Sequence, residues 1–343
     1  MVLVAGYLQP ALGEEWTARW MEQYTSKIGG KSVKDLIIPG THDSITYTIN
    51  AKSTFAKEQD VPQQLNWLRY IGVGFIVTKI AADWSRAQGR TVTEQLQDGI
   101  RYFDMRVVYR ESRKKFYTCH GLYGEELSKV LKEMNEFLNK HPREVVILDF
   151  NHLYNMKPPK TGDKHNELMT LIQGTFDKKM VPGDTYSPNV TLNELWEKKY
   201  QVIALYYNDK GNSKEVPGSK ASNLLWGPDK IRSPWANKQK IEDLKKELDK
   251  YINTHTTNAP NQFFVLQGIL TPDGATIAGS LKPSFKGIRS LKDFSAQLKK
   301  PMSEWLVEWR WGNKKLNIIM MDFLDDKGLV EEIIKLNLVR SSS

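Results

Sequence analysis

A histidine and a carboxylate stand side by side shortly after an apolar segment of the chain ends. Residues 33–38 have the apolar pattern of a short buried strand, and the turn-forming pair Pro39-Gly40 follows them. His42 and Asp43 come next, after the single residue Thr41. Because α/β folds place their chemistry at the carboxyl ends of parallel strands, this pair is a candidate for acid–base catalysis.

A second group of charged side chains lies in or after other apolar segments. Asp104 and Arg106 are two residues apart in the segment 100–108, so alternation along a strand places both on one face. His120 follows the segment 116–119. Two histidines near an arginine suit phosphoryl transfer without a metal, since one takes a proton, the other gives one, and the guanidinium stabilises the phosphate. A buried ion pair that stabilises the sheet is the alternative interpretation of Asp104 and Arg106.

Carboxylates also end two further apolar segments. Asp149 lies near the end of the segment 145–150, and Asp322 near the end of 316–323, the last predicted strand. Because the first and last strands of a barrel are neighbours, we expect Asp322 beside His42, where a carboxylate fixes the tautomer of an imidazole. Hydrogen bonding to strand ends or neighbouring loops is the alternative for both aspartates.

The elements that must position these residues alternate between strands and helices, which predicts a parallel sheet. We expect one domain with a distorted TIM-type β/α barrel, closed or incompletely closed, at 31–340, and an N-terminal extension at 1–30 that packs on it. Residues 208–235 are rich in loop-forming residues. The predicted strands are 33–38, 100–108, 116–119, 145–150, 201–207, 263–270 and 316–323. The predicted helices are 91–99, 125–140, 163–177, a short helix after Thr191, 238–252, 291–311 and 328–338, with capping boxes at Thr91–Glu94 and Thr191–Glu194.

The composition is that of a globular protein with a basic surface. Of 343 residues, 49 are basic and 40 acidic, which gives a formal net charge of +9. This balance favours anionic partners such as phosphorylated substrates or acidic membranes, although general solubility explains it equally well. The single cysteine, Cys119, excludes an intramolecular disulfide.

Several classes of function lack their sequence signals. No glycine-rich dinucleotide motif follows the first predicted strand and no P-loop is present, which argues against nucleotide binding. No recognisable module for binding nucleic acid is present. The longest apolar run, 70–80, contains Lys79 and is too short to span a bilayer, and the first residues form a poor signal peptide. We expect a monomer in the cytoplasm or at the periphery of a membrane, with secretion not excluded.

Five motifs between residues 39 and 323 resemble those of the phosphatidylinositol-specific phospholipase C X domain, in the family's order. They are PGTHDS at 39–44, RYFDMR at 101–106, HG at 120–121, EVVILDF at 144–150 and DF at 322–323. The chain most resembles stand-alone X-domain proteins and bacterial enzymes. The resemblance implies a distorted barrel and a reaction in which the inositol 2-hydroxyl attacks phosphorus. Diacylglycerol leaves, and inositol 1,2-cyclic phosphate forms.

The resemblance also implies roles for individual residues. His42 is expected to be the general base with Asp322 behind it, and His120 the general acid supported by Asp43. Arg106 is expected to contact the phosphate in the place of a metal ion. Because a guanidinium repels a metal cation, we predict no metal and no other cofactor.

The motifs constrain the pocket for the lipid headgroup less closely. By position, the candidates are Asp104, His152, Tyr206 or Tyr207, and Gln267. Phosphatidylinositol at an anionic membrane surface is the expected substrate. A glycosylated or different phospholipid head is the alternative.

Two segments are candidates for membrane contact, since tryptophan and basic residues favour the interface of an anionic bilayer. One is the insertion 50–90, with Trp67, Tyr70 and Phe75. The other, which we call the aromatic–basic cluster, comprises Trp305, Trp309, Arg310, Trp311, Lys314 and Lys315. Core packing of Trp305 and Trp309 is the alternative interpretation of this cluster.

Two other functions stay open. A metal-dependent glycerophosphodiester phosphodiesterase or phospholipase D-like barrel also pairs two histidines. It needs a Glu-x-Asp metal site, where this chain has Asp104-Met-Arg106. The second is a catalytically silent lipid-binding barrel. Loss of His42 or His120 would favour it, but both histidines are present.

Overall fold

The computed structural model describes residues 16–57, 75–157, 162–207, 223–258, 261–280 and 287–338. The strands in these ranges are β1 Ile38–Thr41, β2 Tyr102–Arg110, β3 Lys115–His120, β4 Leu122–Glu126, β5 Val146–Tyr154, β6 Val202–Tyr206, β7 Leu225–Trp226, β8 Ile231–Arg232, β9 Phe263–Gly268 and β10 Ile318–Met321. The α-helices are α1 Trp20–Gln23, α2 Thr25–Ile28, α3 Phe75–Ser85, α4 Val92–Asp98, α5 Leu127–Lys140, α6 His165–Phe176, α7 Leu192–Lys198, α8 Ile241–Asn258, α9 Gly274–Gly279, α10 Leu291–Ala296, α11 Lys299–Trp311 and α12 Lys327–Lys335. No helix in these ranges combines the length and the apolar character that crossing a bilayer requires.

Parallel strands form the sheet, in the order β7-β6-β5-β2-β1-β10-β9-β8. β3 and β4 extend it as an antiparallel hairpin on β2. Helices connect most of the parallel strands, because a parallel pair needs a crossover. Within the described ranges β7 and β8 do not pair, so the barrel is incompletely closed. The predicted α/β class and distorted barrel are therefore confirmed.

The first strand lies further along the chain than the sequence predicted. Val33–Asp35 is a 3-10 helix, and β1 contains Pro39 and Gly40, which the sequence predicted as a turn. A Cβ atom on Gly40 would lie 2.8 Å from Cδ1 of Tyr102, so glycine lets β1 and β2 pair this closely. Pro39 donates no hydrogen bond within β1, but its carbonyl accepts one from the backbone N–H of Arg101 at 3.0 Å. The predicted bounds of this strand were wrong.

Other elements also differ from their predicted bounds. β5 includes Asn151 and His152, which the sequence placed after the strand, because its pairing with β2 continues past them. The helix predicted at 291–311 is two helices, α10 and α11. Pro301, in the first turn of α11, cannot donate the hydrogen bond that one continuous helix requires. The described part of the loop-rich region 208–235 contains β7 and β8, and β4 was not predicted.

The helix α4 holds the chain that follows β1. Its predicted capping box is confirmed, with the side chain of Thr91 accepting from the Glu94 backbone. The side-chain amide of Gln95 donates to the carbonyl of Ser44 at 2.8 Å, and its oxygen lies 2.8 Å from Oγ1 of Thr41. The residues between Thr41 and Ser44, which include the first histidine, are therefore fixed by the helix that precedes β2.

Residues 16–28 pack on the barrel through buried polar contacts as well as apolar ones. The indole N–H of Trp20 donates to the carbonyl of Gly99 at 3.0 Å. Arg101 and Glu144 form a fully buried ion pair of 2.7 Å beneath the same segment, and the guanidinium also donates to the backbone carbonyls of this segment. The boundary between an extension at 1–30 and a barrel at 31–340 stays a prediction.

Candidate active site

The adjacency of β1 and β10 places the first candidate histidine beside the last candidate carboxylate. Nδ1 of His42 lies 2.7 Å from Oδ1 of Asp322, and both residues are buried. The backbone N–H of His42 donates to the carbonyl of Met321 at 3.1 Å, which continues the pairing past the strand ends. The side-chain amide of Gln88 donates to the carbonyls of both His42 and Met321. These contacts fix the imidazole with Nδ1 towards the carboxylate.

Asp43 lies among both histidines and the arginine. Its Oδ1 is 2.5 Å from Nε of Arg106, and its Oδ2 is 3.5 Å from Nε2 of His42 and 3.5 Å from Nε2 of His120. The two Nε2 atoms are therefore no more than twice this distance apart. Asp43 has a positive φ of 43°, and its backbone N–H donates to Oδ2 of Asp104 at 2.9 Å. A strained backbone held by buried partners is a common feature of functional sites.

Arg106 contacts the second ring nitrogen of His42. Its Nη2 lies 2.7 Å from Nε2 of His42 and 3.5 Å from Oδ2 of Asp104. Because a guanidinium has no acceptor, it must be the donor, and Nε2 of His42 accepts. This geometry requires the tautomer with its proton on Nδ1, facing Asp322, which is the form that a general base needs.

The second histidine is oriented by the backbone of α3. Nδ1 of His120, the last residue of β3, donates to the carbonyl of Ser85 at 2.8 Å. Its Nε2 therefore faces Asp43 and the space above it. The sequence predicted Asp43 as the partner of His120, and the structure brings the two together, although Asp43 contacts Arg106 more closely.

Burial and neighbouring charges shift the pKa values within this cluster. Burial lowers the pKa of His42, but the carboxylates of Asp43 and Asp322 outweigh it, so that pKa lies above its ordinary value. For His120, burial outweighs the attraction of Asp43, and the pKa lies below its ordinary value. Burial raises the pKa of Asp104, but the neighbouring guanidinium prevails and lowers it to about 2.

Three atoms with the chemistry of metal ligands converge at the same point. His42, Asp43 and Asp104 each offer one such atom, and these atoms lie within 4.8 Å of one another. Arg106 contacts all three residues, at 2.7, 2.5 and 3.5 Å. The chain thus supplies its own cation where a metal ion would otherwise fit, and the guanidinium would repel that ion.

The cluster lies at the base of a cavity of about 480 Å³, which we call the histidine cavity. This volume is typical of sites for small molecules. Tyr206, which the sequence suggested as an alternative to Tyr207, does not line the cavity. Its hydroxyl is hydrogen-bonded to Nδ1 of His165 at 2.8 Å. Asp43 lies behind the lining residues. The other residues predicted to take part in catalysis or substrate binding all line it: His42, Asp104, Arg106, His120, His152, Tyr207, Gln267 and Asp322.

Trp235 is the most prominent cavity residue that sequence reasoning missed. Its ring centroid lies 5.6 Å from that of His42, and 43% of its surface is exposed. An exposed indole beside a buried imidazole offers a surface on which a ring-shaped ligand can stack. Its position in the loop-rich region 208–235 was the available signal for a binding residue. A residue outside helices and strands has no periodicity from which its location in the fold can be predicted.

Asp149 supports the cavity wall from behind. It is fully buried and accepts hydrogen bonds from the hydroxyl of Tyr102 at 2.5 Å and the amide of Asn151 at 3.2 Å. The hydroxyl of Tyr207 also donates to it at 3.4 Å. Burial raises the pKa of Asp149 to about 7. The alternative that the sequence left open for this residue, hydrogen bonding to neighbours, is what the structure contains.

The aromatic–basic cluster does not lie near the histidines. Trp305 and Trp309 are buried in the core, which confirms the alternative interpretation, while 67% of the surface of Trp311 is exposed. The basic members of the cluster line another cavity, beside the residues that precede β10. Of the rival candidates, Trp67 and Tyr70 lie outside the described residues, and Phe75 begins α3.

Comparison with protein families and with curated proteins gives matches along most of the chain. A family model described as PI-PLC X 1 matches residues 69–214. The chain is 34% identical to mouse PI-PLC X domain-containing protein 2 over 328 residues, which are 94% of this chain and 88% of that protein. It is 32% identical to human PI-PLC X domain-containing protein 3, over 94% of each chain.

Comparison with solved structures shows the same fold in bacterial proteins. A phosphatidylinositol-specific phospholipase C from Listeria monocytogenes matches with a TM-score of 0.60 and 18% identity, over 93% of this chain and 98% of that one. The corresponding protein of Staphylococcus aureus matches with a TM-score of 0.60 and 16% identity, over 94% and 97%. At these identities the likeness establishes the barrel fold.

Proposed function

Because this chain belongs to the family of PI-PLC X domain-containing proteins, we propose that it is a phosphatidylinositol-cleaving phospholipase C-type lyase that needs no metal ion. Family and fold together support a phospholipase C-like function. One observation carries the finer proposal. It is the continuous contact chain Asp322–His42–Arg106–Asp43–His120 at the base of the histidine cavity.

In the first step His42 acts as the general base. The inositol 2-hydroxyl takes the place of the Arg106 hydrogen bond at Nε2 of His42 and gives its proton to that nitrogen. Asp322 accepts from Nδ1–H and stabilises the imidazolium that forms. The 2-oxygen then bonds to phosphorus, the bond from phosphorus to the glycerol oxygen breaks, and inositol 1,2-cyclic phosphate results.

His120 acts as the general acid in the same step. It protonates the glycerol oxygen of the departing diacylglycerol from Nε2, while Nδ1–H stays on the carbonyl of Ser85. Burial holds the pKa of His120 low in the free protein, and a bound anionic phosphate raises it again. Asp43, at 3.5 Å, supports the protonated form.

Arg106 supplies the positive charge that a metal ion supplies in related chemistry. Its guanidinium is held by Asp43 and lies beside Asp104, so it reaches the site with its charge in place. Hydrogen bonds from it to the phosphate oxygens stabilise the charge that develops in the transition state. Burial lowers the pKa of Arg106, but the two carboxylates outweigh it and keep the group charged.

The walls of the histidine cavity bind the headgroup. The indole of Trp235 stacks on the inositol ring, and Asp104, His152, Tyr207 and Gln267 contact its hydroxyl groups. The substrate is an anionic phospholipid at a membrane surface, and the protein acts on it as a peripheral monomer.

A metal-dependent phosphodiesterase is the second candidate, because the ligand atoms of His42, Asp43 and Asp104 converge. The contacts of Arg106 with all three weigh against it. A catalytically silent lipid-binding barrel is disfavoured by the hydrogen-bonded histidines, whose tautomers are both fixed by their partners.

The proposal is tested by identifying the products formed from phosphatidylinositol vesicles. Phosphorus NMR is expected to detect inositol 1,2-cyclic phosphate, and chromatography an equal amount of diacylglycerol. His42→Ala and His120→Ala should abolish both products, whereas His165→Ala, outside the cavity, should retain them. Release of phosphatidic acid and free inositol instead would overturn the reaction type, and full activity of His42→Ala would overturn the mechanism.

A further inference from the structure

A second cavity, of about 350 Å³, lies at the opposite end of the barrel from the histidines. Ile37 and Asn317, which precede β1 and β10, line it together with Phe264 near the start of β9. His42 and Asp322 directly follow the carboxyl ends of β1 and β10, at the other end of the barrel. The two cavities are therefore separated by the length of the strands, roughly 15–20 Å. We call this second one the basic cavity.

Cationic side chains dominate the lining of the basic cavity. Among the described residues, Lys31, Lys314 and Lys315 form no ion pair with a carboxylate, and Lys31 donates instead to the backbone carbonyl of Asn337 at 2.8 Å. Such a neutral acceptor leaves the charge in place. The lining contains five cations, Lys31, Lys34, Arg310, Lys314 and Lys315, against one carboxylate, Asp35, which pairs with Lys34 at 3.4 Å.

A buried histidine in the wall has an unused hydrogen-bonding atom. His255 is 9% exposed and stacks on Phe264 with ring centroids 4.3 Å apart and planes within 9°. Its Nδ1 has no hydrogen-bond partner in the part of the chain that the structure describes. A buried polar atom without a hydrogen-bond partner destabilises the folded protein. Burial and the nearby cations, including Lys34 and Lys315, lower the pKa of His255 to about 4.

We propose that the basic cavity binds the phosphate group of a soluble phosphorylated small molecule. Lysine and arginine side chains are the usual partners of phosphate in proteins, and the volume suits a small ligand. Asn313 and Gln262 also line the cavity, and the side-chain amide of Gln262 donates to the carbonyl of Asp229 at 2.8 Å. The ring of His255 lines the cavity beside these groups.

The choice of a soluble ligand over a lipid headgroup rests on the proposed function. If the histidine cavity takes its substrate from a bilayer, the end of the barrel that carries it must face that bilayer. The basic cavity then faces away, into water, and cannot bind a lipid of the same membrane. A phosphorylated solute can reach both cavities.

The probe for this site is inorganic pyrophosphate, titrated by calorimetry into the full-length protein. Because the phosphate site of the histidine cavity can also bind it, the titration is repeated with Arg106→Gln. We expect binding to persist in Arg106→Gln and to weaken at least about tenfold in Lys31→Gln/Lys315→Gln. Lys300→Gln/Lys132→Gln, which removes the same two charges from side chains that are 89% and 77% exposed, is the matched control and should bind normally.

Three results would overturn the proposal. They are no pyrophosphate binding to the wild-type protein, binding that Arg106→Gln abolishes, and binding that the lysine pair does not affect. Sedimentation with phosphatidylserine vesicles separates the two sources of phosphate. Vesicle binding that depends on Lys31 and Lys315, without pyrophosphate binding, would assign the cavity to a lipid headgroup. Cleavage of phosphatidylinositol by Lys31→Gln/Lys315→Gln tests the proposed function separately and should be unchanged.

Discussion

Nδ1 of His42 and Oδ1 of Asp322 lie 2.7 Å apart, although 280 residues separate them in the sequence. The contact exists because β1 and β10 are parallel neighbours that end at the same level. It joins the residues that follow the first and last strands, at the one imidazole nitrogen that must stay protonated if the other is to accept a proton. The fold and the proposed base are thus linked through a single hydrogen bond.

Replacing Asp322 with asparagine should preserve the shape of this contact and remove its charge. The amide can stabilise the wrong tautomer of His42 and does not stabilise its imidazolium, so we expect kcat to fall by roughly 10³- to 10⁴-fold. Initial rates on phosphatidylinositol vesicles measure the loss. Asp325→Asn, which alters a nearby carboxylate paired with Lys299 at 2.7 Å, should retain activity. A loss below tenfold in Asp322→Asn would contradict the assigned role.

The Asp43→Asn variant should move both limbs of the pH profile of kcat/KM to lower pH. The carboxylate of Asp43 raises the pKa of His42 and that of His120, so its removal lowers both values. The two limbs belong to the coupled pair, and the direction is therefore the same whichever histidine each limb reports. Asparagine also tolerates the positive φ of this position. A profile of reduced height with unmoved limbs would show that Asp43 acts only through Arg106.

Replacing Trp235 with alanine should raise KM roughly 3- to 10-fold for a water-soluble short-chain phosphatidylinositol, with a smaller change in kcat. The indole lies 5.6 Å from the ring of His42, where it can stack on a headgroup. A soluble substrate separates this contact from binding to membranes. Trp311→Ala removes a more exposed indole away from the histidines and serves as the control. Equal KM values for the two variants would contradict stacking at Trp235.

The Asp149→Asn variant should change how stability depends on pH. Burial raises the pKa of Asp149 from 3.8 to about 7, so the folded protein keeps a proton that the unfolded chain has lost between these values. The stabilisation is full below the lower value and is lost as pH rises through about 7. Denaturant unfolding should be measured at about pH 5 and about pH 8. The free energy of unfolding of the variant, relative to that of the wild-type protein, should be higher at the higher pH. Parallel pH dependences for the two proteins would show that Asp149 is ionised throughout.

The sequence predicted most of the residues that the structure brings together at the histidines. Parallel strands end at one edge of the sheet, so polar side chains after successive apolar segments must lie close together. The contact of Asp322 with His42 followed from the adjacency of the first and last strands. Asp104 and Arg106 followed from the alternation of side chains along one strand.

The sequence failed where a residue is chosen by close approach or by position in three dimensions. Pro39 and Gly40 have the pattern of a turn, yet both lie inside β1. A glycine is needed at position 40 because Tyr102 leaves no room for a Cβ atom. Trp235 belongs to no periodic element, so no pattern placed it beside His42. The spacing within α11 indicated a helix, but it did not indicate that Arg310 lies at the far end of the barrel.

The dependence of the reaction on metal ions tests the central claim most directly. Arg106 contacts His42, Asp43 and Asp104, the three residues that a metal ion would need. Phosphatidylinositol cleavage is therefore measured in excess chelator and again with added calcium or magnesium, for the wild-type protein and for Arg106→Gln. We predict equal wild-type rates in chelator and in metal, and a loss of about 10²- to 10³-fold in Arg106→Gln under both conditions. Wild-type turnover that appears only with added metal would contradict the account.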